Sequence, residues 1–164
     1  QSSFADRVGS VLAVSGLQAH LLELELTESI LVHDADEALQ RLHALAALGV
    51  QLSIDDFGTG YSSLSALQQF PIGTLKIDQS FVRNAATDPD DATIVRTIIE
   101  MGRSLGLQVL AEGIETEEQR DFLLQSGCQF GQGRLFGHPV SADEFLELVI
   151  KQATGEHPVL RLPA

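Results

Sequence analysis

The chain has 164 residues, 23 of them Asp or Glu against 10 Lys or Arg, for a formal net charge of −13. That length fits one domain with its own core, and 44% hydrophobic with 20% charged residues excludes a disordered chain. The acidic excess excludes a counterion-releasing grip on DNA or RNA, but not a phosphate-bearing ligand met through a metal ion.

A single cysteine, Cys128, rules out an internal disulfide and a CxxC zinc site, so a reducing, cytoplasmic location is expected. No apolar run approaches the roughly 18–20 residues of a membrane span, so no membrane contact is expected of this segment. The chain opens on Gln1 rather than Met. An upstream part, able to carry a membrane anchor, is therefore expected.

Helical and strand periods alternate along the chain. Phe4, Val8, Val11 and Leu12 predict a helix over 3–15, stopped by Gly16. Leu22, Leu24 and Leu26 alternate with Glu23, Glu25 and Thr27, which predicts a strand over 21–27. A D-x-x-E box at Asp34 and Glu37 opens a helix that ends at Gly49. A strand is predicted over 50–55, and a short helix over 62–69 stops before Pro71. A strand over 74–78 and a helix over 91–105, ending at Gly106, follow. A strand over 107–112 leads to a T-x-x-Q box at Thr116 and Gln119 and a helix. A strand over 128–132 precedes an S-x-x-E box at Ser141 and Glu144, which opens the last helix. Residues 1–152 read as one domain and 153–164 as a tail.

Five strands alternating with helices predict an α/β fold with a parallel sheet. Strands of an open doubly wound sheet are apolar on both faces, whereas here each keeps one polar side. That pattern favours a (β/α)₈ barrel whose strand ends line one rim. Glu25, Asp55, Lys76, Glu112 and Gln132 all fall opposite the aliphatic residues of their strands. Glu28, Asp56, Asp78 and Glu115 lie beside them, although Glu28, Asp78 and Glu115 can equally be caps or solvated loop acids. Adjacent Asp55 and Asp56 repel unless they are protonated or share a cation. Mg²⁺ or Mn²⁺ suits such an oxygen-rich set better than zinc. A carboxylate-held pair of ions activates water for in-line displacement at phosphorus, with Lys76 orienting the water or neutralising charge. The glycines of 57-FGTGYSS-63 lack the G-K-[ST] of a P-loop and the GxGxxG fingerprint. They read instead as a tight loop beside the Asp pair.

The segments 23-ELELTES-29, 53-SIDDFGTGYSSL-64, 71-PIGTLKIDQSFV-82, 109-VLAEGIET-116 and 131-GQGRLFGHPV-140 together resemble the EAL family of cyclic-di-GMP phosphodiesterases. The resemblance implies an incomplete TIM-type barrel, about five strands of eight. It also implies hydrolysis of cyclic-di-GMP to linear pGpG with Mg²⁺ or Mn²⁺. By position it implies metal ligation by Glu25, Asp55 and Asp56, and metal or general-base work by Glu112. Lys76 matches the water-contacting lysine, Gln132 a glutamine near the catalytic centre, and Asp78 a substrate-side acid. Glu28 and Glu115 match supporting acids, and Gly58, Thr59 and Gly60 the loop that couples dimerisation to metal binding. A homodimer and an upstream sensory or GGDEF-type domain are the implied partners. The family's E-A-L and N-x-S motifs are absent, so the fragment alone is expected to be weak or inactive. His138 also stands where the family often has Arg. A degenerate module that binds cyclic-di-GMP or a protein partner remains the alternative.

Overall fold

The computed structural model describes residues 3–28, 35–60 and 67–153. Helix α1 (Phe4–Ser15) starts from a capping box in which the Ser3 hydroxyl accepts from Asp6 N and the Asp6 carboxylate accepts from Ser3 N. It stops at Gly16, whose φ of 70° suits a residue without a Cβ. A 3₁₀ turn (Ala19–Leu21) leads into β1 (Glu23–Thr27). Helix α2 (Ala35–Ala46) buries Ala38, Leu42 and Leu45, one stripe at helical spacing. Its expected cap at Asp34 lies outside the described residues, as does most of the expected helix over 62–69.

Strands β2 (Gln51–Phe57) and β3 (Thr74–Ile77) follow. Two helices, not one, then connect β3 to β4 (Gln108–Ala111). The first, α3 (Gln79–Asn84), is capped by Asp78 and was not legible in the periodicity. The second, α4 (Pro89–Leu105), begins two residues earlier than the expected start at 91, because Asp88 caps Asp90 N and Asp91 N with Pro89 in the first turn. Helix α4 buries Ala92, Val95, Ile98 and Ile99. Gly102 allows it to approach β4, since a Cβ there would sit 2.3 Å from Val109 Cγ2. Helix α5 (Glu117–Gln125), strand β5 (Phe130–Gly131) and helix α6 (Ala142–Ala153) complete the order. The last strand is shorter than the expected 128–132, because only Phe130 and Gly131 pair with β4.

All four strand pairings are parallel, and the order is β1-β2-β3-β4-β5. A doubly wound sheet reverses its strand order at a switch point. Sequential order with helices between is instead the wall of a (β/α) barrel, here five strands of it. Leu52, Ile54, Leu75, Ile77, Val109 and Ala111 are buried on the helix side and join Val82, Val95 and Ile98 in one core. The opposite face carries the polar residues. Among the described residues β1 and β5 each pair on one side only. Helix α6 leaves Phe145, Leu146 and Ile150 exposed, and α1 leaves Phe4, Val11 and Val14 exposed. No helix among the described residues is long and apolar enough to cross a membrane.

Candidate functional site

The site begins with an irregularity in β2. Ile54 pairs with Leu75 and Phe57 with Ile77, so three steps of β2 span two steps of β3. The extra residue is taken up at Asp56, whose φ of 53° makes it the one non-glycine with positive φ among the described residues. Asp tolerates this region better than most side chains. Such a bulge re-aims side chains at a strand end. Here Phe57 stays in the core, while Asp55 and Asp56 both stand beside Lys76 of β3.

Lys76 is almost fully buried, and its Nζ contacts three carboxylates: Glu25 Oε1 at 2.6 Å, Glu112 Oε1 at 2.6 Å and Asp55 Oδ1 at 3.1 Å. These come from β1, β2 and the residue that follows β4, so one ammonium joins the ends of four neighbouring strands. Burial opposes its charge, but the adjoining carboxylates of Glu112, Glu25 and Asp55 outweigh that and raise its pKa. Burial raises the pKa of Glu112; Lys76 partly offsets this, and Asp55 and Glu25 add to it. Asp56 is exposed, yet its carboxyl lies above the usual range, through residual desolvation first and then Asp55 and Asp78. Gln132, beyond β5, donates from Nε2 to Glu112 Oε1 at 2.7 Å. Lys76 and Gln132 therefore hold the same oxygen of Glu112.

The flanking acids separate into different roles. Glu28 is buried, and its Oε2 accepts from Gly58 N at 3.1 Å and Gly60 N at 3.0 Å. It clamps the loop that leaves the Asp pair, with Thr59 Oγ1 donating to Asp56 O at 2.9 Å. Gly58 lies against Phe81, where a Cβ would come within 2.9 Å of the ring. Residues 61–63 of the expected loop lie outside the described residues. Asp78 accepts from Ser80 N and Ser80 Oγ as the cap of α3. Although desolvation works against it, the Ser80 bonds leave its carboxyl below the usual range. Glu115 points outward to Arg134, 3.4 Å away. Sequence reasoning missed Arg134, which only the fold brings to Glu115.

Asp55, Asp56 and Glu112 offer ligand oxygens that all lie within 4.8 Å of one another. Asp55 Oδ1 is buried and makes no hydrogen bond, its contact with Lys76 being an ion pair out of hydrogen-bond alignment. One ammonium cannot balance four acids, so an all-oxygen group with an orphaned carboxylate oxygen fits a hard divalent cation. Three of the four expected ligands thus converge. The fourth, Glu25, reaches the group through Lys76 instead.

Comparison with known proteins agrees with this architecture. The family model described as EAL domain matches residues 1–139. The chain is 47% identical over 148 residues to the bifunctional diguanylate cyclase/cyclic di-GMP phosphodiesterase MucR of Pseudomonas aeruginosa, covering 90% of this chain and 22% of that protein. It superposes on the PaMucR phosphodiesterase in complex with c-di-GMP with a TM-score of 0.84 and 46% identity, over 88% of this chain and 59% of that one. Klebsiella pneumoniae BlrP1, in a manganese and cy-diGMP complex at pH 6, gives a TM-score of 0.78 at 33% identity, over 85% of this chain and 35% of that one. The chain thus spans about a fifth of the first curated relatives' length, 22% and 19%. With the sequential parallel strands and the carboxylate-ringed lysine, the family match establishes that this chain belongs to the EAL domain family.

Proposed function

We propose that the chain is part of a metal-dependent phosphodiesterase that hydrolyses one ester bond of cyclic-di-GMP to give linear pGpG. The observation that carries the reading is Lys76, held by Glu25, Asp55 and Glu112 beside the convergent oxygens of Asp55, Asp56 and Glu112. In this reading Asp55, Asp56 and Glu112, with Glu25 as a fourth carboxylate, hold Mg²⁺ or Mn²⁺. When bound, the cation supplies Lewis-acid activation of water and stabilises charge in an in-line displacement at phosphorus.

The chain's own residues do the rest. Glu112, oriented through one carboxylate oxygen by Lys76 and Gln132, takes the proton of the attacking water. Lys76 neutralises charge that builds on the phosphoryl oxygens. Gln132 fixes the rotamer of Glu112 through their 2.7 Å bond. Asp78 lies on the substrate side, while Glu28, with Gly58, Thr59 and Gly60, steadies the loop beside the Asp pair.

Residues 1–152 form a partial EAL domain and 153–164 a tail. Among the described residues the five strands leave β1 and β5 paired on one side only, so this segment alone is weak or inactive and a longer protein is the active unit. That protein is a homodimer with an upstream sensory or GGDEF-type domain. Its EAL domain is cytoplasmic, and upstream segments are able to anchor it to a membrane.

The test is to incubate the upstream-extended protein with cyclic-di-GMP and Mg²⁺ or Mn²⁺ and to follow pGpG by chromatography, alongside Asp55→Asn and Glu112→Gln. Cleavage by the parent form, with binding but no cleavage in both variants, supports the assignment. Undiminished cleavage in both variants overturns it, and binding without cleavage by the parent form returns the chain to the binding-module reading.

A further inference from the structure

We infer that Gln119 is a positioning residue for Glu112, a role that rests on the functional reading above. In sequence Gln119 is the last member of a T-x-x-Q capping box, and the box is present. Gln119 N donates to Thr116 Oγ1 at 3.3 Å, and Gln119 Oε1 accepts from Thr116 N at 3.0 Å. A capping box needs nothing more. Gln119 is nevertheless buried, at 7% exposure, and makes two further bonds. Oε1 also accepts from Glu115 N at 2.7 Å, and Nε2 donates 3.0 Å to the carbonyl of Arg83, 36 residues away in the last turn of α3.

The loop it grips is the one that carries Glu112. Two other backbone donors of that loop go to strands and their ends: Glu112 N to Ile77 O at 3.1 Å, and Ile114 N to Gln132 O at 3.1 Å. Gly113, at a φ of 68°, lies flat on α3, where a Cβ would fall 2.6 Å from Gln79 Cβ. The loop is thus docked at both ends of one short helix, by Gly113 at Gln79 and by Gln119 at Arg83. That helix starts at the Asp78 cap, two residues after Lys76. Gln119 therefore ties the backbone that bears Glu112 to the element that follows Lys76, and it holds the 2.6 Å contact between them in register.

Two substitutions separate this role from capping. Glu is as good as Gln at the third position of a capping box, so Gln119→Glu preserves the cap. It loses the donor and sets a carboxylate against the Arg83 carbonyl. Thr116→Ala does the reverse, removing the cap hydroxyl and sparing the bridge. In the full chain, the amides of Glu112 and Ile114 should exchange with deuterium about tenfold faster in Gln119→Glu, whose carboxylate still accepts from Glu115 N, and stay near wild type in Thr116→Ala. In the upstream-extended protein, Gln119→Glu should lower kcat for cyclic-di-GMP at least about tenfold, with KM changed less than about twofold.

If Gln119→Glu does not fold, Gly113→Ala lifts the same loop from the other end of α3 and should show the same exchange and kcat defects. Exchange and kcat within about twofold of wild type in the folded variant overturn the inference. If the wild-type protein does not cleave the dinucleotide, the functional reading fails, and the exchange measurement alone still decides whether Gln119 holds the loop.

Discussion

Lys76 Nζ and Glu112 Oε1 stand 2.6 Å apart at the ends of adjacent strands, and the lysine side chain is only 5% exposed. The pair is the centre of an acid ring with a single cation. Breaking a buried ion pair from one side leaves unpaired charge and costs about 3–5 kcal/mol. Lys76→Met should therefore lower the unfolding free energy from urea titration by that scale and reduce hydrolysis by the extended protein by about 10²-fold or more. Chemical denaturation and a pGpG assay on the same preparation check both.

The clamp of Glu28 on Gly58 N and Gly60 N predicts a local effect. Glu28→Ala should cost about 1–3 kcal/mol, the scale of hydrogen bonds to a charged acceptor. Glu28→Gln keeps an acceptor oxygen and should lose less. Amide exchange at Gly58 and Gly60 should rise in the order wild type, Gln, Ala.

The positive φ of Asp56 predicts a split between two substitutions. Asp56→Asn tolerates the left-handed region and relieves repulsion with Asp55 and Asp78. Its stability should equal or exceed wild type while Mn²⁺ binding weakens. Asp56→Val forces a β-branched side chain into that region and should cost about 1–3 kcal/mol. Thermal melts with and without Mn²⁺ distinguish the two.

Cys128 sets an alkaline limit. Burial pushes its thiol above the ordinary value, against smaller lowering contributions from Phe130 and Ala111. Because the unfolded thiol gives up its proton first, this contribution to stability is whole below the free-thiol value of about 8.5. It is lost as pH rises from there through the folded value. Cys128→Ala should flatten the fall in unfolding free energy above that pH, measured by urea titrations across the alkaline range. In the folded protein Cys128 should resist alkylation.

Much of the fold was legible because the periods are strong. Leu22, Leu24 and Leu26 alternate with acids, and the glycines at 16, 49 and 106 stop helices at φ values of 70°, 89° and 71°. Helix α3 was hidden because Gln79–Asn84 is six residues long and fully buries only Val82. The clustering of Glu25, Asp55, Lys76, Glu112 and Gln132 followed from parity alone. Which acids meet which donors did not. The β2 bulge, the turn of Glu25 toward Lys76 and the pairing of Glu115 with Arg134 all depend on neighbours more than 18 residues away in sequence. Gln119 shows the same limit, since its local pattern announced a cap and only the packed structure shows the reach to Arg83.

The unequal step count between Ile54 and Phe57 has a consequence for how this site can change. Removing Asp55 or Asp56 would restore even pairing with β3 and keep Phe57 opposite Ile77, but at the expense of one acid. The second carboxylate of the pair exists only because β2 is one residue longer than its partner here. Substitutions can drift in the surrounding loop, whereas a single-codon deletion between 55 and 57 should be lethal to the site while leaving the barrel wall standing.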